Sequence, residues 1–300
     1  MVSRELVRGA RIRRVLLTTL VLNVAVAAAK IAYGHAANVL SIRADGFHSL
    51  TDASNNIVGL IGVYLGSRPA DEDHPYGHEK FEILAAGLVG LSLLGMAYDV
   101  LSSAYERLMN GAQAPDIQGT AFLVLGGTLC VNLFVAIYER RMGERLSSSF
   151  LISDSQHTRS DVLVTLGVIV TAVFVRLGYP LLDAVAALAI AFFIASAGIG
   201  VLRSNLRYLA DERAIDTSVI EKIVVAVPGV ASTHKIRTRG VPGAIHVDLH
   251  IQIARHLDVV EAHRVTHWVI ESIKREVPGV TDVLVHTEPA EPGQPFNPLP

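Results

Sequence analysis

Six stretches of this chain carry the apolar pattern of bilayer spans: 15–33, 40–65, 83–101, 121–138, 150–177 and 181–202. A spanning helix needs roughly 20 mainly apolar residues. The second and fifth stretches meet that length comfortably only if polar segments lie inside them. These segments are "ADGFHSLTD" (44–52) and "SDSQHTRSD" (153–161); the alternative is that each is a short linker beside a shorter helix. Beyond 203 the pattern becomes that of a soluble domain. "TSVIEKIVVAVPGV" reads as an amphipathic helix closed by Pro-Gly, and "STHKIRTR" and "AIHVDLHIQIA" alternate as strands. "VVEAHRVTHWVIESIKREV" is a second helix and "DVLVHTE" a last strand. The order αββαβ predicts a small α+β sandwich with its helices on one face of the sheet. The expected organisation is an N-terminal segment 1–14, a six-helix transmembrane domain 15–208, a cytoplasmic domain 209–289, and a disordered tail 290–300, "AEPGQPFNPLP".

Composition agrees with a membrane protein. Hydrophobic residues make up 51%, charged residues 18%, and mean hydropathy is +0.42. A net charge of −2 gives no footprint for nucleic acid. A single cysteine, Cys130, excludes an internal disulfide and argues against a thiolate zinc site. "RELVRGARIRR" precedes an apolar run longer than a signal-peptide core, with no small-residue cleavage site, so the first span reads as uncleaved. Arg4, Arg8, Arg11, Arg13 and Arg14, the 66–82 loop (Arg68, Lys80), the 139–149 loop (Arg140, Arg141, Arg145) and Arg203 with Arg207 fall on one side. The other side has only Arg107 and, near a helix end, Arg176. The positive-inside rule then makes both termini cytoplasmic.

The two polar nonapeptides share the order Asp, three on His, four on Asp. Residues four apart lie on one helix face, so His48 pairs with Asp52 and His157 with Asp161. Two facing helices bring two imidazoles and two carboxylates together, a suitable tetrahedral shell for Zn²⁺. An isolated intramembrane charge costs about 2.5–3.5 kcal/mol on insertion scales, and one pattern repeated twice is hard to explain by packing. The competing reading is hydrogen bonding across the bundle. Asp45 and Asp154, three residues before each His, either orient the imidazoles or are helix-end polarity. Asn56, four beyond Asp52, either lines the same path or, the better reading, makes an interhelical hydrogen bond. Equal depth for the two motifs requires the fifth span to begin near Gly143.

These features, with the loop "PADEDHPYGHEKFE" and the soluble tail, resemble the cation diffusion facilitators, proton-coupled exporters of divalent metals. The resemblance covers roughly 10–290. It implies that His48, Asp52, His157 and Asp161 form the transport site, and some relatives that also carry iron or cadmium have Asp where His48 stands. In the loop, Pro75 and Gly77 favour a turn, and Asp71, His74 and His78 alone fit a polar connector as well as a metal site. The resemblance implies that these three bind a second metal. Among the tail histidines it selects His234, His250, His263 and His286, followed by Glu288, as a binuclear site at a dimer contact. His246, His256 and His267 read as surface residues. Many relatives have Asp where Glu288 stands; Glu is also a competent oxygen ligand.

The expectation is therefore a Zn²⁺/H⁺ antiporter in lipid, exporting metal from the cytoplasm of a bacterial cell through its inner membrane, and working as a homodimer through its tail domain. Zinc is both cargo and a bound structural or regulatory ion. Fe²⁺, Mn²⁺, Co²⁺ and Cd²⁺ are alternative cargoes, since ligand identity alone does not set selectivity. No Walker-type loop is present for ATP, leaving the proton gradient as the energy source. A membrane zinc hydrolase requires an open metal position and a base, as in H-E-x-x-H, and "GHEKFE" lacks the second His. A non-transporting metal sensor or scaffold on the same fold is the third class. The expectation is no enzyme.

Overall fold

The computed structural model describes residues 2–36, 40–110, 119–176 and 181–292. The chain divides into two compact units, Met1–Leu206 and Arg207–Pro300. The first is built from six long helices: α1 (Val2–Ala36), α2 (Leu40–Gly66), α3 (Lys80–Asn110), α4 (Gly119–Leu146), α5 (Ser149–Arg176) and α6 (Leu181–Leu209). At 1.5 Å per residue, 27 to 35 residues give about 40–52 Å, more than the ~30 Å hydrocarbon core. Among the described residues three segments are apolar enough by composition alone to cross a membrane: Val7–Tyr33, Lys80–Glu106 and Ala187–Leu209. In α2 the apolar run is interrupted by the polar stretch "SLTDASNN" (49–56). Both polar nonapeptides nevertheless lie inside helices rather than in linkers.

The outer surface of this unit is apolar, with Val21, Leu88, Leu91, Tyr98, Phe192 and Phe193 exposed. Its interior holds Lys30, Asn56, Glu139, Asp154 and His157, all buried. That inversion of the soluble pattern is what lipid demands, since it cannot solvate charge. One apolar cluster joins α1, α2, α3 and α5 through Ile12, Leu16, Val63, Ala86, Phe150 and Leu151. Another joins α3 to α6 through Leu93, Met96, Ala97, Ile194 and Val201. Small residues set the close approaches, as in other membrane bundles: a Cβ on Gly46 would lie 2.7 Å from Ile31 Cγ1, and one on Gly62 would overlap the Ala85 methyl.

The fifth helix does not begin near Gly143. Gly143 belongs to α4, which ends in a tight turn: the Ser148 amide donates to the Gly143 carbonyl at 2.9 Å and Ser147 takes a left-handed φ of 50°. Ser148 then accepts from the Leu151 amide at 3.3 Å and starts α5. Likewise α1 begins at Val2, ahead of the expected span at 15, because "RELVRGARIRR" is rich in good helix formers. Arg8 on that extension donates to the Leu146 and Ser147 carbonyls at 2.7 and 2.8 Å and to Glu82 Oε2 at 3.2 Å. Glu82 also accepts from Ser148 Oγ at 2.6 Å, closing a clamp between α1, α3 and the α4–α5 turn.

The second unit contains α7 (Thr217–Val225), β1 (Val230–Val241), β2 (Ala244–Ile253), α8 (Val259–Glu276) and β3 (Val280–Pro289). The order αββαβ is the one the polar–apolar pattern predicts. Strands β1 and β2 form an antiparallel hairpin, and β3 lies parallel to β2 after the α8 crossover, giving the order β1-β2-β3. The hairpin needs Gly240, whose φ is 119° and where a Cβ would overlap the Ala244 carbonyl. Val265, Val269 and Ile273 recur every four residues along α8 and meet Val247, Leu249 and Ile251 of the sheet. Asp216 caps α7, and Asp258 with Glu261 forms a capping box on α8. Of the expected disordered tail, residues 293–300 lie outside the described residues.

Candidate metal centres

Helix α5 carries Asp154, His157 and Asp161 at a spacing of three and four, so one face presents all three. His157 is buried, and its Nδ1 lies 3.4 Å from Asp161 Oδ2. Both line a cavity of about 100 Å³ inside the bundle, with Asn23 and Lys30 from α1, Ser49 from α2, Asp99 from α3 and Asn132 from α4. Ser49 directly follows His48 in sequence. The side chains of His48, Asp52 and Asp45 lie outside the described residues.

Asp154, which lines the same cavity, bonds to a neighbouring helix. Its Oδ2 accepts from Asn56 Nδ2 at 2.8 Å; Asn56 in turn accepts from Asn23 at 2.9 Å and reaches Thr19 Oγ1 at 3.4 Å. Asn56 thereby ties α1, α2 and α5 together. Two residues of this interior escape a reading of the sequence. Glu139 on α4 is fully buried and accepts from Thr158 Oγ1 at 3.2 Å; among the arginines of "YERRMGER" it reads as a solvated charge. Lys30 is the other. Its only sequence signal is position: a lone ammonium in the apolar run "AVAAAKIAYG".

The loop between α2 and α3 draws Asp71, His74 and His78 together, their ligand atoms all within 4.8 Å of one another. The segment is a turn, not a helix, with Gly77 at φ 95°. Asp71 Oδ1 accepts from the His74 amide at 2.7 Å, and Asp71 Oδ2 lies 3.3 Å from His78 Nε2. The His74 amide, then its ring, hold the Asp71 carboxyl below the usual carboxylate range. The buried His78 has Nδ1 3.1 Å from the Pro69 carbonyl; a proton donated there leaves Nε2 with a lone pair.

In the soluble unit His234, His250 and Glu288 come from three different strands, again with ligand atoms within 4.8 Å of one another. Register does this. His234 pairs with His250 across the hairpin, His250 pairs with His286 across the parallel ladder, and Glu288 lies two residues further on the same face. Glu288 Oε1 is 2.7 Å from His250 Nδ1, and Oε2 is 3.3 Å from His234 Nε2. The His250 hydrogen bond holds the Glu288 carboxyl below its ordinary value. His286 is 63% exposed and sits 3.8 Å from Glu288 Oε1. His263 is not in this group; it lies on α8 with its ring 4.5 Å from that of His267. His246, expected on the surface, is half-buried on β2 opposite Asp282.

A helical bundle with an apolar exterior and a polar, carboxylate-lined cavity, attached to a histidine-bearing soluble domain, defines a membrane transporter of cations. Residues 16–210 match the cation efflux transmembrane domain and residues 213–290 the cation efflux protein cytoplasmic domain, so the chain belongs to the cation diffusion facilitator family. An uncharacterized transporter of Methanocaldococcus jannaschii is 32% identical over 84% of this chain and 89% of its own. A probable cation efflux system protein of Mycobacterium tuberculosis is 30% identical over 85% of this chain and 76% of its own. The manganese efflux system protein MneS of Bacillus subtilis is 26% identical over 88% of this chain and 91% of its own. The chain is an integral membrane exporter of divalent metal cations and not an enzyme.

Proposed function

We propose that the protein exports Zn²⁺ in exchange for protons, with His48, Asp52, His157 and Asp161 as the transport site. The single observation that carries this reading is the His157–Asp161 pair at 3.4 Å, facing a polar cavity that α2 also lines through Ser49. Imidazole nitrogen beside carboxylate oxygen suits Zn²⁺ better than Mg²⁺ or Ca²⁺. To bind metal each histidine must be neutral and each aspartate ionised, so metal binding displaces protons. Facing the cytoplasm, the site exchanges protons for metal; facing outward, protons displace the metal. Rocking of the bundle about a fixed site supplies alternating access. Both termini stay on the cytoplasmic side, as the arginine distribution favours.

The Asp71/His74/His78 and His234/His250/Glu288 clusters are metal sites on the cytoplasmic side in the same reading. His263 and the exposed His286 complete a second position in a homodimer formed through the soluble domain, with 209–289 as its working extent and 15–208 as the transporting part. The manganese relative supports Mn²⁺ as the rival cargo. The deciding experiment is transport by the purified full-length protein in proteoliposomes under an imposed pH gradient. Zn²⁺ is expected to move with the gradient and to outcompete Mn²⁺, Fe²⁺, Co²⁺ and Cd²⁺, and His157→Ala to abolish transport. Mn²⁺ winning that competition would reassign the cargo; transport indifferent to the pH gradient would reject antiport.

A further inference from the structure

Lys30 is a buried charge with no role in the ligand set. Histidine aside, it is the only ionisable cation between Arg14 and Arg43. The residue is 2% exposed, and its Nζ donates to Ser49 Oγ at 3.0 Å. It lines the same cavity as Asp99, Asp154, His157 and Asp161. An ammonium has no lone pair and so ligates no metal. It repels a dication in the same cavity, and the low dielectric of a protein interior strengthens that repulsion relative to water. A lysine buried in a bundle is costly unless opposite charge compensates it, and this cavity is lined by three carboxyl groups among the described residues.

We infer that the Lys30 ammonium is the built-in counter-cation of the transport cavity. It neutralises the cavity carboxylates when cargo is absent and competes with the incoming dication. It thereby lowers metal affinity enough for the cargo to leave. Its bond to Ser49 ties the charge to α2. This rests on the reading of the α2/α5 residues as the transport site, and it sets affinity for any divalent cargo rather than selecting one.

The test compares full-length wild type, Lys30→Met, Lys30→Gln, Lys30→Arg and His157→Ala in proteoliposomes, with Zn²⁺ and Mn²⁺ as probes and a lumenal metal-sensitive dye as readout. Removing the charge should lower KM about tenfold, equivalent to ~1.4 kcal/mol, and lower kcat by a similar factor because release slows. Lys30→Arg, which keeps the charge, should stay near wild type. A purely structural tie to Ser49 would lower the yield of folded protein without this opposed movement of affinity and rate. Lys30→Gln stands in if Lys30→Met does not elute as a single species, and failure of both to fold would make Lys30 a structural tie and overturn the assignment. Unchanged or raised KM in the neutral variants, with His157→Ala inactive, overturns it too while leaving the transport site standing. Wild-type transport by His157→Ala would instead bring down the site itself, and this inference with it.

Discussion

Replacing Glu82 by alanine should loosen the membrane unit where α1, α3 and the α4–α5 turn meet. The Glu82 side chain is 7% exposed and accepts from Arg8 Nη2 at 3.2 Å and from Ser148 Oγ at 2.6 Å. A hydrogen bond to a charged group contributes about 1.5–3 kcal/mol, and removing one partner of a fully buried ion pair costs about 3–5 kcal/mol. The full sum does not apply. Arg8 is 30% exposed, so water replaces part of its lost contact, and the Leu146 and Ser147 carbonyls still hold the guanidinium. Ser148 is fully buried and has no such recourse. The net loss is then about 2–3 kcal/mol. With ~2–4 °C per kcal/mol for a unit of this size, the midpoint should fall by about 4–12 °C. The assay is the fraction of protein remaining monodisperse on size exclusion after heating in mild detergent. Glu82→Gln, which keeps an acceptor for Ser148 but loses the charge, should fall between the two. A midpoint for Glu82→Ala within about 1 °C of wild type would refute the clamp.

In the soluble unit, Ile251→Ala removes a fully buried side chain from the sheet face that packs on α8. It should cost about 2–5 kcal/mol, read from Trp268 fluorescence on denaturation; a loss under about 1 kcal/mol would mean the face repacks. The Asp216 carboxyl is held below its ordinary 3.8, first by the Ser218 amide bond. A depressed folded value means the cap's contribution is present above pH 3.8 and is lost as pH falls through the lower folded value. Asp216→Asn keeps the acceptor without the charge, so the acid limb of unfolding below pH 3.8 should flatten; an unchanged limb would refute the assignment.

Much of this protein is legible from order alone. Apolar runs announce six helices because lipid admits no unpaired backbone, and alternation followed by a period near 3.6 announces strands and helices in the soluble unit. The spacing of His157 and Asp161 already places them on one face, since four residues make about one helical turn. Helix ends were less legible. Arginines flanking the first span look like a solvated segment, yet Arg8 lies in α1 and donates to carbonyls 138 and 139 residues away. The α4–α5 turn depends on Ser147 accepting a left-handed φ, a choice that a serine does not advertise.

The chain sequence by itself determined class, element order and the local pairs: the membrane bundle, the αββαβ domain, and ligand residues within one helix or one short loop. All of these follow from periodicity, which is a property of neighbours along the chain. Only the tertiary structure decided which distant groups share a space. It brought Lys30 and Ser49 to the cavity of His157, joined Asn56 to Asp154, buried Glu139, and put His234, His250 and Glu288 on adjacent strands. Those partners are far apart in sequence, and helix packing and strand register, not local pattern, set their distances.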